Sequence, residues 1–208
     1  MSQYVVTIAR QFGSLGRPIA KALAEILGIE YYDRDIVEAT AEKMGLPVSV
    51  ISDQEEKVKS GFFQMGFPLG MGSTEQQIEI FNEQAKIIRD LAERQSCIIV
   101  GRCSDYVLQN QKNCIHIFIY APYERRVRNC VDFLHMNEDV AKQVLAKVDK
   151  ARDSYHKTFA QFAPGDYRHK DILIDSSLLG IEGTAKVIAD IVRTHFMEEK
   201  LEEDVEKI

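Results

Sequence analysis

Two apolar runs, CIIV at 97–100 and CIHIFIY at 114–120, the second broken only by His116, constrain this 208-residue chain more than any other feature. A strand with one wet face alternates apolar and polar residues. These runs offer water almost no polar face, so each reads as a strand buried on both sides, as strands of parallel sheets are. Shorter runs at Tyr4–Ile8, Ile29–Tyr32 and Asp171–Asp175 read as further strands. Between them the apolar spacing turns helical. Ile19, Leu23, Ile26 and Leu27 recur on one face before Gly28 stops the helix, and Ile80, Ile87, Ile88 and Leu91 do the same in 76–94. Residues 35–45, a basic segment after Pro122, 138–158 and Glu182 onward complete the helices. Strand alternating with helix implies a mainly parallel sheet covered on both faces, a three-layer α/β/α fold in a single domain over 1–208.

Composition sets the function classes. A chain of this length with 45% hydrophobic residues can bury roughly 70% of its unfolded surface, enough for an enzyme core. No apolar run approaches the roughly 20 residues of a bilayer span. The start, MSQYVVTIARQFG, has no basic segment leading into an apolar stretch and cleavage site, so no secretory signal or membrane association is expected and the cytoplasm is the expected compartment. Of the net charge of −6, residues 198–208 hold −4, with six acids against two lysines. The nearly neutral body has no basic footprint for duplex nucleic acid. The acidic segment reads as the solvated end of the last helix, or as a partner-binding tail. Cys97, Cys103, Cys114 and Cys130 form no C-x-x-C pair, so buried or spectator thiols are expected, with no metal site.

In open parallel sheets ligands bind beyond the carboxyl ends of the strands. Those positions here are Arg10–Arg17, Asp33, Arg102 and Asp105, the residues after Tyr120, and Ser176-Ser177. The first turn, R-Q-F-G-S-L-G-R-P, has Gly13 and Gly16 for a tight path into a helix N-terminus, with Arg10, Ser14 and Arg17 adding charge and a hydroxyl. It reads as an anion cradle or as an ordinary glycine-containing turn with exposed arginines. It is not a regular G-x-x-x-x-G-K-[ST] loop. Gln11, Arg17 and Pro18 stand where glycine, lysine and a hydroxyl would be, and Ser14 is the nearest alternative hydroxyl. The stretch KSGFFQMGFPLGMG at 59–72 reads as a flap over a pocket, an irregular packed loop, or part of a homodimer surface.

The strings V-T-I-A-R-Q-F-G-S-L-G-R, Y-Y-D-R-D-I-V, I-I-V-G-R-C-S-D-Y-V-L, F-I-Y-A-P-Y-E-R-R-V-R and I-D-S-S-L-L-G-I-E-G, in this order over residues 4–190, resemble the cytidylate kinase-like family of phosphate-loop nucleoside monophosphate kinases. The resemblance implies transfer of the γ-phosphoryl group of ATP, with Mg²⁺, to a pyrimidine, CMP-like nucleoside monophosphate. It places Gly13, Ser14, Gly16 and Arg17 around the β- and γ-phosphates, with Arg10 leading into that turn. Asp33 matches an aspartate near the acceptor, and Arg102 an arginine that contacts it. About 34–95 would be an acceptor-binding or flap insertion and about 122–168 a lid region, with Arg125 and Arg128 at the lid's start and Arg152 and Asp153 closing over the phosphates.

Phosphoryl transfer needs positioning and charge neutralisation rather than a covalent residue, which suits an arginine-rich site. A spacing of three puts Arg125 and Arg128 on one helix face; a solvated basic face is the plainer reading. The family's base-reading aspartate is replaced by Cys103. Asp105 could take over if the turn is re-aimed, or could cap the helix that follows. Two further readings stay open: a nucleotide-binding protein without turnover, and a kinase for another acceptor.

Overall fold

The computed structural model describes residues 3–45 and 74–205. Strands β1 (Val5–Arg10), β2 (Glu30–Tyr32), β3 (Cys97–Val100), β4 (Cys114–Tyr120) and β5 (Ile172–Asp175) form one sheet in the order β2-β3-β1-β4-β5. Every neighbouring pair is parallel, with Val5 beside both Cys97 and Cys114. The helices are α1 (Gly16–Leu27), α2 (Arg34–Met44), α3 (Thr74–Arg94), the short α4 (Ser104–Val107), α5 (Tyr123–Leu134), α6 (Glu138–Ala160) and α7 (Gly180–Val205).

The two-sided burial expected of the apolar runs is what builds the layers. Val6, Ile8, Ile98, Val100, Ile115, Ile117 and Ile119 point to one face, where they pack with Ile19 and Leu23 of α1 and with Ile188, Val192 and Phe196 of α7. Their neighbours Val5, Cys97, Ile99 and Cys114 point to the other, against Ile36 of α2 and Ile87, Ile88 and Ala92 of α3. Each fully buried aliphatic side chain contributes about 1.5–3 kcal/mol. The polar interruption in β4 is satisfied locally: His116 Nδ1 lies 2.8 Å from the buried Thr7 Oγ1 on β1. A third cluster joins the α5–α6 hairpin to the first turn, with Phe12 packed among Val127, Cys130, Val144, Leu145 and Val148.

Element edges differ from the sequence expectation by one to three residues, as helix ends fray and hydrogen bonding extends β1 to Arg10. The four-residue α4 and a 3-10 turn at Tyr167–His169 have no periodic signal in so short a span. The 59–72 stretch lies outside the described residues, and α7 runs as helix to Val205. No described helix is long and apolar enough to cross a membrane. All four cysteines are free and buried, and burial pushes the Cys97 thiol up to about 12 and Cys130 up to about 11.

Candidate active site

The strand order puts β1 at the centre, with β3 and β2 on one side and β4 and β5 on the other. The crevice beyond its carboxyl end is therefore the topological switch point, where such sheets bind ligands. Arg10 ends β1 there. Its stem lies against Gly16, where a Cβ would meet Arg10 Cβ at 2.8 Å, and its guanidinium against Gly101, where a Cβ would meet Nη1 at 2.3 Å. A side chain at Gly16 would crowd the Arg10 stem, and one at Gly101 would shift its guanidinium.

The turn Gln11–Gly16 is tied down from several directions. Gln11 N–H donates to the Ile119 carbonyl at 3.0 Å, Phe12 N–H to Asp149 Oδ1 at 2.8 Å, and Asn129 Nδ2 to the Gly13 carbonyl at 2.8 Å. Arg126 donates to the Phe12 carbonyl at 3.2 Å and pairs with Asp149. Ser14 is fully buried, and its hydroxyl donates to the Gln11 and Ile119 carbonyls at 2.9 and 3.1 Å. This corrects the expectation that Ser14 lends its hydroxyl to a phosphate, because the residue is sealed and the loop's own backbone takes its proton. Leu15, left-handed at φ 60°, then opens α1 without a side-chain cap. The first N–H groups of α1 face the crevice end of the sheet, a setting that favours anions.

Asp33 stands at the N-cap position of α2 but makes no cap bond. Its carboxylate turns to the crevice instead, where Arg17 Nε donates to Oδ2 at 2.5 Å, Arg10 Nη2 lies 3.8 Å from Oδ1, and Tyr31 OH donates to Oδ2 at 3.2 Å. Burial would raise its pKa, but Arg10, Arg17 and Arg102 overcome that and hold it below the usual carboxylate value. Asp33 is sealed, whereas the Arg17 side chain is 40% exposed.

Beside Arg10, one cleft is lined by Gly101, Arg102, Cys103, Asp105, Arg152, Tyr155, His156 and Pro164. Arg102 and Cys103 follow Gly101 in a left-handed path, with φ of 58° and 51° after 76°. Non-glycine residues there are strained by about 1–2 kcal/mol each, a cost that recurs at functional sites. Across the cleft, Arg152 Nη1 donates to the Arg10 carbonyl at 2.9 Å and its guanidinium lies 5.9 Å from the centroid of the Phe12 ring. Arg10, Arg102 and Arg152 thus share one cavity.

Asp105 is 4% exposed and accepts from His156 Nε2 at 2.9 Å and from Lys170 Nζ at 2.5 Å. Burial would raise its pKa, yet His156 and Lys170 hold it well below the carboxylate range. This corrects both expectations for Asp105. It caps no helix, and its oxygens are already bonded to the buried His156 and Lys170 rather than open to a base. Arg125 and Arg128 do share a face, but that face is in solvent, and the intervening Arg126 is the one buried on the turn. Asp153 pairs with Lys157 at 2.8 Å along the outside of α6 and does not line the cleft.

Sequence reasoning missed Asp149, His156 and Lys170. A signal existed for the first two, because Asp149, Arg152 and His156 are spaced three and four apart and so share one face of α6. Among the described residues no three His, Cys, Asp or Glu side chains gather into a group that could hold a metal.

A parallel sheet between helical layers, with an arginine-lined crevice at its switch point beside a glycine turn, defines the phosphate-loop kinase class of α/β protein. Solved structures share the fold. An uncharacterised protein from Eubacterium ventriosum is 25% identical with a TM-score of 0.67, over 93% of this chain and 98% of that one. A shikimate kinase from Bacteroides thetaiotaomicron is 11% identical, TM-score 0.55, over 92% and 99%. A gluconokinase from Sinorhizobium meliloti is 12% identical, TM-score 0.51, over 94% and 97%. No curated protein matches the sequence. The model of the cytidylate kinase-like family matches residues 5–178, and the chain belongs to that family.

Proposed function

We propose that this protein is a phosphotransferase that passes the γ-phosphoryl group of ATP, supplied with Mg²⁺, to a nucleoside monophosphate of CMP-like size and charge. One observation carries the reading: Arg10, Arg102 and Arg152 converge on one cleft beside the first turn. Three guanidiniums around a cavity suit a phosphate-bearing acceptor, since each presents planar donors that match phosphate oxygens. Transfer of a phosphoryl group asks the protein mainly to align two substrates and offset charge on the equatorial oxygens.

Within this reading the start of α1, with Gly16 and Arg17, receives the donor phosphates. Arg17 stands for the missing lysine and is open enough to exchange Asp33 for a phosphate. Asp33, sealed behind Arg10 and Arg17, orients those two arginines rather than meeting the acceptor as the resemblance implied, and Arg102 and Arg152 hold the acceptor's anionic end. Mg²⁺ arrives on the triphosphate, as Ser14 is fully buried and its hydroxyl is turned into the loop's own carbonyls.

A specific observation favours a second reading, a hydroxyl-bearing carboxylate as acceptor. Cys103 occupies the base-reading position and Asp105 is sealed, so that turn presents no open carboxylate to a nucleobase. The shikimate kinase and gluconokinase that share the fold bear names of such acids.

The test is direct transfer. Protein, Mg²⁺ and ATP are incubated with CMP, dCMP, UMP, AMP, GMP, shikimate, gluconate or no acceptor, and the products are resolved chromatographically. A nucleoside diphosphate supports the first reading and a phosphorylated acid the second. No product, from folded protein that binds ATP, would leave a nucleotide-binding protein without turnover.

A further inference from the structure

The cleft wall contains a buried charge network that the transfer chemistry does not use. Asp105, His156 and Lys170 are 4%, 4% and 9% exposed. They come from α4, from α6 and from the segment before β5. Asp105 holds His156 Nε2 at 3.0 and 2.9 Å through its two oxygens, and Oδ2 also holds Lys170 Nζ at 2.5 Å. His156 Nδ1 lies 2.8 Å from the Phe162 carbonyl, and Lys170 Nζ also donates to the His169 carbonyl at 3.2 Å and sits 5.1 Å from the Phe162 ring centroid. Both ring nitrogens of His156 are engaged within the wall, by Asp105 and by the Phe162 carbonyl, so neither is open to a substrate.

Such a network is a poor way to gain stability. Burying charges costs several kcal/mol per ion, and well-packed apolar residues often do as well. What the network does provide is registry. Asp105 lies three residues beyond Arg102 on the strained turn, and His156 lies four beyond Arg152 on the same face of α6. The bond between them therefore joins the two backbones that carry the cleft's opposed arginines, and all four residues line the one cavity.

We propose that Asp105 and His156 are positioning residues, a clamp that fixes the separation of Arg102 and Arg152 across the acceptor cleft, with Lys170 as the second partner that keeps Asp105 in place. What the arginines grip rests on the phosphotransferase reading; that they are held in register does not.

The experiment compares wild type with His156→Leu, which loses the bond to Asp105, and His156→Gln, which keeps a donor toward it. The Nε–H NMR signals of Arg102 and Arg152, assigned through Arg102→Lys and Arg152→Lys, report their order without any turnover. KM for the acceptor and for ATP are measured separately in the transfer assay, well below each variant's Tm. In His156→Leu both arginine signals should broaden or merge, and KM for the acceptor should rise about tenfold or more while KM for ATP stays within about twofold. His156→Gln should recover both readouts to within about threefold. Should His156→Leu not fold, His156→Asn keeps the bond to Phe162 without reaching Asp105 and gives the same comparison. Sharp, unshifted arginine signals in the leucine or asparagine variant would overturn the clamp, as would equal losses toward ATP and acceptor. If wild type transfers to no acceptor, the phosphotransferase reading fails while the arginine signals still decide the clamp.

Discussion

Asp33 and Asp105 are two versions of one arrangement, a buried carboxylate beyond the end of a strand that meets two basic side chains. The difference lies in the partners. The Lys170 side chain is wholly buried and His156 nearly so, whereas the Arg17 side chain that holds Asp33 is 40% exposed. A sealed cation has no other partner to move to, but a half-exposed arginine can be hydrated along the way to another anion. The first geometry suits a fixed wall and the second suits a side chain that must meet a substrate. Burial of the carboxylate alone, nearly the same in both places, does not distinguish them.

The largest effect that should separate the two sites is on stability. Removing one member of a buried ion pair leaves an uncompensated charge and costs about 3–5 kcal/mol. Asp105→Ala should therefore lower Tm by about 10 °C or more in calorimetry. Asp33→Ala leaves the buried Arg10, 3.8 Å away, without that partner but lets the closer Arg17 turn to water, and should lower it by less. Equal losses would erase the distinction.

The next effect is catalytic and runs the other way. Arg17→Ala should leave the fold intact by circular dichroism, because Asp33 keeps Arg10 and Tyr31. Phosphoryl transfer should fall about 10²–10³-fold, the usual loss when one preorganised charge is taken from a transition state. Transfer at the wild-type rate would show that Arg17 serves only Asp33.

Acid titration is smaller and tests whether both carboxylates are held ionised. Each has its pKa lowered in the folded protein, so the unfolded chain binds protons more readily. Their stabilisation is fully present above the ordinary carboxylate value of about 3.9 and is lost as pH falls through the lower folded values. Urea midpoints measured from pH 7 to pH 2 should drop less steeply below about pH 4 in Asp33→Asn and Asp105→Asn than in wild type. An unchanged slope in either variant would mean that its carboxylate is not held ionised.

Much of this was legible in the sequence. The strands were, because residues buried on both faces leave a run such as CIIV with no alternation. The cleft arginines Arg10, Arg102 and Arg152 were also legible, the first two from their place after strands and the third from the family resemblance. The lid arginines show where local logic stops. Spacing finds which residues share a face but not which face is buried, and Arg125 and Arg128 proved to be outside. Val127 and Cys130 marked the inner face, to which Arg126 belongs. The local signals at Asp105, its place after a strand and at a helix start, pointed to the wrong roles, since its partners lie 51 and 65 residues away and are brought to it only by tertiary folding.

The smallest effect, and the most direct test of the contrast, is salt. An exposed ion pair contributes about 0.2–1 kcal/mol and is screened, because the Debye length falls from about 10 Å at 0.1 M to about 3 Å at 1 M. A buried pair excludes those ions. Double-mutant cycles on Arg17/Asp33 and on Lys170/Asp105, read from urea midpoints at both salt concentrations, cancel the general effect of salt on folding. The Arg17–Asp33 coupling should shrink toward zero at 1 M, while the Lys170–Asp105 coupling should hold. If Arg17–Asp33 were as insensitive as the sealed pair, Arg17 would be fixed to Asp33 and unable to leave it for a phosphate. The chain would then have two walls and no movable charge, and the donor side of the proposed transfer would need a different cation.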